Sequence, residues 1–500
     1  MKHRILALLL SLVLLLAAAP AARAEEIVTS DAWYEIFVWS FCDSDGDGIG
    51  DLKGVAQKLD YVADLGCGGI WLMPIMPSPS YHKYDVTDYY DVDPLYGTLE
   101  DFDALLAAAH ARGLRVILDL PVNHCSSEHP WFLSAAADPS SPRRAWFNWS
   151  DKAQPGYSPC GEEYYESRFV DSMPDLNLDN PEVRAEIEAI LRFWLERGAD
   201  GFRLDAVTSF YTGNVEKNVE LLNWLADAAH GIAPDCYLVA EAWENLAALA
   251  RYSESRIDSF FTFPVSQAEG YIAKTLGGRG KQNGKKFGDY VALLEETLPE
   301  NTVPAPFLEN HDTGRTVGFT GRTNPDKTKM AGGLLCLMRG EVFLYYGQEI
   351  GMVGSGVDPN KRLGMLWTTQ EETTLPPPGV TEVEYAYPSV AAQREDPASL
   401  LSYYRQALAL RREFPLIAAG RSTVLPCETE AAALILRSDG ESAILLAVNP
   451  STAETQLTLE GEAAGYARLS ASLCTDPGLS ASLSGTSLTL PPYSIAVLEG

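Results

Sequence analysis

The chain has 500 residues, with 38 Lys plus Arg against 68 Asp plus Glu and a formal net charge of −30. So acidic a chain is repelled by nucleic acid and by anionic membrane surfaces, which excludes both as expected partners. Hydrophobic residues at 46% and charged residues at 21% are ordinary for a globular protein, and the length suits a large domain plus one or two smaller ones.

The N-terminus starts with the basic residues Lys2, His3 and Arg4, followed by an apolar run over residues 6–19 and small residues at Ala22 and Ala24. This order predicts a secretory signal peptide over residues 1–24, cut after Ala24, because the apolar run is too short for a comfortable membrane span. The mature protein is expected to be secreted, extracellular or periplasmic, with no membrane attachment once the signal is removed.

From residue 32 to about residue 412, short apolar runs alternate with helical patterns. The strand candidates, in order, are AWYEIFVWSF, GGIWLMPI, LRVILDLPV, DGFRLDAV, CYLVAEAW, SFFTFPV, APFLEN and VFLYYGQ. Most are rich in β-branched or aromatic residues and bounded by Gly, Pro or Asp. Between them lie patterns such as residues 181–197, with Asn180 as N-cap and Pro181 in the first turn. This alternation predicts a (β/α)8 TIM barrel over residues 25–124 and 174–415. A doubly wound sheet is the alternative, but it needs a Gly-rich phosphate loop, and neither GxGxxG nor GxxxxGK[ST] occurs.

Two regions break the pattern. Residues 125–173, after the third strand candidate, lack periodicity and are too long for a plain loop, so they read as a small inserted domain. Its Trp131, Trp146, Phe147 and Trp149 offer flat faces for a ligand, but such residues more often form the core of a small domain. Residues 416–500 change to short alternating strands, which predicts an all-β sandwich.

Just after the first strand candidate comes FCDSDGDGIGDLKG. Asp43, Asp45 and Asp47 fall at positions 1, 3 and 5 of an EF-hand-like loop, with Gly48 at position 6. Position 12 is Gly54 rather than a bidentate Glu, and a strand-like run precedes the loop, so a calcium-sensing hinge is not expected. Asp43, Asp45, Asp47, the Ile49 carbonyl and Asp51 can still supply oxygen ligands to a structural Ca2+. The eight cysteines include no CxxC pair, which argues against zinc, and export permits disulfides. Cys125 with Cys160 is the first pairing to expect; buried free thiols are the alternative.

In a barrel of this type, functional residues sit at the C-terminal strand ends. Those ends carry Asp119, Asn123 and His124; Arg203 and Asp205; Glu241; and Asn310, His311 and Asp312. Acids at buried strand ends are costly unless used or paired. Three carboxylates without a metal triad, a Ser-His-Asp signature or a cofactor loop point to glycoside hydrolysis, which needs a nucleophile or base and a separate acid. Arg203 lies two residues before Asp205, so on a strand their side chains share a face, and the guanidinium would keep Asp205 ionised. Glu241, flanked by apolar residues, would have its pKa raised by desolvation and suit a proton donor.

With those residues in view, DLPVNH, GFRLDAV, VAEAW and FLENHD together resemble the four catalytic blocks of the α-amylase family of glycoside hydrolases. The resemblance runs over nearly the whole mature chain. It implies a retaining mechanism with Asp205 as nucleophile, Glu241 as general acid/base and Asp312 stabilising the transition state. It also implies that His124, Arg203 and His311 line the subsite of the cleaved sugar, that Tyr84 stacks on that sugar and that Arg315 reaches it. Several relatives bind a structural calcium ion in the loop that corresponds to residues 43–51. Three local departures bear on the substrate. MPDLN at residues 173–177 is intermediate between the blocks of α-amylases and oligo-1,6-glucosidases. Tyr81 stands where the glucosidases carry an Asp that closes their pocket. Ser209 and Phe210 stand where many α-amylases have Lys-His, which weakens the case for a second calcium at Asn123 and Asp175. The implied partner is an α-glucan or maltooligosaccharide, and the expected state is a monomer. Endo-hydrolysis of α-1,4 bonds is the first reading. Exo-acting α-glucosidase or oligo-1,6-glucosidase activity, glucan transfer and a non-catalytic binding protein are the alternatives.

Overall fold

The computed structural model describes residues 32–277 and 281–500. The expected signal peptide lies outside the described residues. Eight parallel strands form one sheet: β1 (Ala32–Ile36), β2 (Gly69–Leu72), β3 (Arg115–Leu120), β4 (Gly201–Leu204), β5 (Tyr237–Ala240), β6 (Ser259–Phe261), β7 (Val303–Ala305) and β8 (Val342–Tyr345). Their order is β7-β6-β5-β4-β3-β2-β1-β8. The ends of the sheet meet: Glu341 N donates to Pro304 O at 2.9 Å, Phe343 N donates to Pro306 O at 3.0 Å, and Phe307 pairs with Phe343. The result is the expected (β/α)8 barrel. Nearly every strand residue is buried, as required of strands covered on both faces.

The barrel interior is filled with aromatic rings. Trp33, Trp71, Tyr237, Phe261, Phe307 and Phe343 form one cluster, with Trp33 stacked on Tyr237 at 5.0 Å between centroids. That packed plug confines chemistry to the rim at the strand C-terminal ends.

The strands are shorter than the candidate runs, and two of them show why. The first ends at Ile36, and Val38–Phe41 is a one-turn helix. An unbroken apolar run does not distinguish a strand from a buried helical turn by periodicity. The seventh strand is Val303–Ala305, so only the first residue of APFLEN belongs to it and the remainder forms the loop that carries the site. The helix Pro181–Arg197 has the expected limits: Asn180 Oδ1 accepts from Glu182 N at 2.8 Å, and Gly198 ends it in the left-handed conformation.

The insertion after β3 holds a helix, Pro130–Ala137, and a three-stranded antiparallel sheet. Its aromatics pack on one another. Trp131 and Trp146 meet at 5.0 Å, Phe132 and Phe147 at 5.1 Å, and Arg144 lies over the Trp149 ring at 3.2 Å. Beyond residue 420, a five-stranded and a three-stranded antiparallel sheet enclose a core that includes Leu434, Leu445, Leu457, Leu488 and Leu498. No helix among the described residues is long and apolar enough to cross a membrane.

The Cys125–Cys160 pairing is overturned, because all eight cysteines are free thiols. Cys125 is fully buried below the insertion, while Cys160 sits half-buried at the end of a hairpin strand.

Gly201 shows how tightly β4 is held. At φ 148°, a Cβ there would stand 1.9 Å from the Tyr237 carbonyl oxygen on β5. Gly201→Ala must therefore spread two core strands, two residues from Arg203. We expect a loss of about 3 kcal/mol in denaturant titration, the cost of overpacking a backbone contact.

Candidate active site

Arg203 projects from the end of β4 and is completely buried. Its NH1 binds Asp119 Oδ1 at 2.8 Å and Asp205 Oδ1 at 2.6 Å, and its NH2 pairs with Glu241 Oε2 at 3.0 Å. Carboxylates from β3 and from the ends of β4 and β5 therefore converge on one planar cation. Arginine suits this place because its guanidinium remains charged when buried and presents several donors in one plane.

The three acids have different surroundings. Burial raises the Asp119 carboxyl to about 6 despite Arg203. Its Oδ2 also accepts from Trp71 Nε1 at 3.2 Å and from the Tyr84 hydroxyl at 2.9 Å, so it anchors its neighbours and is not open to substrate. Burial raises Glu241 to about 7, with Asp205 and Asp312 adding to the effect and Arg203 opposing it. Asp205 takes the short contact to Arg203. The next residue, Ala206, is held at φ 47°, ψ 44°, and its N–H donates to Glu241 Oε2 at 3.0 Å. A non-glycine residue in that conformation is strained, and here the strain turns a backbone donor towards the acid.

The loop after β7 supplies the opposite wall. His311 lies between Glu35 Oε1, 2.6 Å from Nδ1, and Asp312 Oδ2, 3.0 Å from Nε2. Burial disfavours its charge, but the two carboxylates outweigh burial and raise its pKa to about 10. The hydrogen bonds agree: Tyr84 Oη gives its proton to Asp119 and so accepts from His311 Nε2 at 2.7 Å, while Nδ1 donates to Glu35. Burial alone would raise Asp312, but the imidazolium and Arg362 hold it well below the usual carboxylate range.

The expected substrate residues separate into two groups. Tyr84, His124, Arg203 and His311 gather around the acids. The Tyr84 ring stacks on His311 at 5.5 Å, and His124 Nε2 approaches Tyr84 O at 3.2 Å. Arg315 does not join them. It is buried away from the acids, with NH1 on Glu309 Oε1 at 2.9 Å and Tyr346 O at 2.7 Å, and Nε on Lys361 O at 3.1 Å. Its donors brace the loops after β7 and β8, so the expectation that it reaches the sugar is corrected.

Several contributors were not read from the sequence. Glu35 on β1 fixes His311. Arg362 pairs with Asp312 at 3.2 Å and with Asp358 at 2.9 Å, and Tyr81 Oη donates to Asp358 at 2.8 Å. The only sequence signal for Arg362 is a basic pair, Lys361-Arg362, in a long excursion after β8. Trp243, two residues beyond Glu241 in the chain, is 48% exposed with its ring stacked on Phe263 at 4.6 Å, which leaves one flat apolar face open.

Of the candidate calcium ligands, Asp43, Asp45 and Asp51 bring carboxylate oxygens within 4.8 Å of one another. Asp47 is not in that group; its Oδ1 accepts from Ile49 N at 2.7 Å. Asp51 also caps the helix Leu52–Gln57 through Gly54 N at 2.7 Å. Asn123 and Asp175 meet at 3.1 Å but bond directly to each other, and burial raises Asp175 to about 7.

A barrel rim that holds one carboxyl poised to give a proton beside another paired with a guanidinium carries the equipment of a glycoside hydrolase. The family model described as the α-amylase catalytic domain matches residues 35–420, and the chain belongs to that family. It is 39% identical to "Alpha-amylase 3" of Dictyoglomus thermophilum over 409 residues, 78% of each chain. It is 32% identical to a "Probable alpha-glucosidase" of Rhizobium meliloti over 84% of this chain and 88% of that one. The solved structure described as Eubacterium rectale Amy13B superposes with a TM-score of 0.90 at 41% identity, covering 94% of this chain and 95% of that one.

Arg203→Met removes the one cation that three buried carboxylates share. We expect a stability loss of about 3–5 kcal/mol at neutral pH, measured by chemical denaturation, because the acids are left uncompensated.

Proposed function

We propose that the protein is an exported α-amylase that cuts internal α-1,4 bonds of starch-like glucans and maltooligosaccharides with retention of configuration. The observation that carries this reading is the pairing of a raised Glu241 with an Arg203-bound Asp205. Glu241 gives its proton to the glycosidic oxygen as Asp205 attacks the anomeric carbon and the bond to the leaving sugar breaks. Glu241, now ionised, then takes a proton from water, whose oxygen displaces Asp205. Asp312, ionised beside His311 and Arg362, holds the sugar and favours the developing oxocarbenium charge.

Open-cleft action is supported by Tyr81, whose neutral hydroxyl stands on Asp358, and by the relative named α-amylase. Exo-acting α-glucosidase activity is the second reading. It is favoured by the Arg362–Asp358 ion pair, whose guanidinium also pairs with Asp312, and by the relative named α-glucosidase. A structural Ca2+ bound by Asp43, Asp45 and Asp51 belongs to the proposal. Carboxylate oxygens are the donors this cation prefers, and their mutual distances suit one ion. The protein acts as a monomer.

Two measurements test the function. Products from soluble starch, pullulan, maltotriose and isomaltose should be mixed maltooligosaccharides from starch, with isomaltose left intact; glucose as the sole early product overturns endo action. In the pH profile, Glu241 must be protonated to donate, so kcat/KM should hold below pH 7 and fall about tenfold per unit above an apparent pKa near 7. Glu241→Gln should remove that limb along with most of the activity.

A further inference from the structure

The segment between the barrel and the aspartate loop is tied at Trp39, Ser40 and Phe41 to the chain that carries Arg362. Trp39 Nε1 donates to Leu375 O at 3.1 Å, and Trp39 O accepts from Gly50 N at 2.7 Å. Ser40 Oγ donates to Arg362 O at 2.6 Å, and Ser40 O accepts from Met365 N at 2.7 Å. Phe41 O accepts from Trp367 Nε1 at 2.6 Å, and their rings meet edge to face at 5.2 Å. The loop itself joins the same segment, because Gly48 O accepts from Leu375 N at 2.6 Å. The approach is close enough that a Cβ on Gly48, at φ 93°, would stand 2.6 Å from the Leu375 side chain.

At the far end of these bonds, the Arg362 side chain holds the catalytic wall. Its Nε donates to His311 O at 3.2 Å, and its NH2 reaches both Asp312 and Asp358. A fully buried serine thus bonds the backbone of the residue whose guanidinium sets Asp312, and lies three residues from Asp43. The Ser40 hydroxyl donates to residue 362 and its carbonyl accepts from residue 365, so both ends of its polar chemistry meet the chain after β8.

We propose that Ser40 is a positioning residue through which a cation in the aspartate loop sets Arg362, and with it Asp312; this rests on the calcium reading above. With the cation bound, residues 43–51 are fixed, Gly48 and Trp39 hold Leu375, and Ser40 holds Arg362. Without it, the Asp43, Asp45 and Asp51 carboxyl groups separate, and the chain after β8 loses its seat. Sugar binding at Asp312 and cation binding in the loop are therefore coupled, and coupling between two binding events is reciprocal.

Calorimetric titration of the Asp205→Asn enzyme, which does not consume its ligand, tests this with calcium and maltotriose. Calcium should tighten maltotriose binding about tenfold, and maltotriose should tighten calcium by the same factor. In Ser40→Ala that factor should fall below about twofold while calcium binding without sugar is unchanged. Leu375→Pro lacks the N–H that binds Gly48 O and alters an exposed position; it should weaken the coupling in the same way. If no form binds calcium, the cation reading and this inference both fall. Calcium binding with no effect on maltotriose overturns the inference alone, as does coupling that persists in both variants.

Discussion

The buried Arg203 guanidinium is the constraint on which the site is built. A carboxylate in the interior is unstable without a counter-charge, and here Asp119, Asp205 and Glu241 share one. Because the three come from adjacent strands β3, β4 and β5, the cation works only while the barrel keeps those strands in register. The register is held in turn by backbone contacts as close as Gly201 on β5. Fold and chemistry are thus joined at one side chain. Removing it would leave like charges in a dry space, and displacing it would change which acid keeps its proton.

The division of labour among the acids follows from that arrangement. The Asp119 oxygens are consumed by Arg203, Trp71 and Tyr84. Asp205 has the shortest contact with the cation. At Glu241 burial outweighs Arg203, so it holds a proton near neutrality. On the other side of the rim the sign is reversed: an imidazolium clamped between Glu35 and Asp312 keeps Asp312 ionised. Both cations favour the ionised form, but burial outweighs Arg203 at Glu241 while His311 outweighs burial at Asp312, so two carboxyls that face the same space keep opposite protonation states.

Much of the fold was legible because parallel strands covered on both faces must read as apolar runs, and the helices between them carry caps such as Asn180. The acids were legible for a related reason: Asp119, Asp205 and Glu241 each interrupt or end a buried run. What was missed lies where chain distance hides spatial contact. Glu35 occurs within an apolar run and gives no sign that it meets His311, 276 residues away. Arg362 lies in an excursion without periodicity, and only folding brings it to Asp312. Arg315 was misplaced by the opposite error, since its nearness in sequence to His311 and Asp312 does not keep a long side chain on the same face. The disulfide expectation failed because Cys125 is fully buried while Cys160 lies half-buried at the end of a hairpin strand.

The eight thiols carry a consequence for how the molecule fails. Six are buried, and burial pushes those of Cys67 and Cys125 well above the ordinary thiol range, so in the folded state those two carry almost no reactive thiolate. The fold itself is their only protecting group. Once the chain opens, all eight are exposed together and can pair in ways the native structure never uses. Reversal then competes with oxidation, and the useful lifetime is set by the height of the unfolding barrier rather than by the depth of the native well.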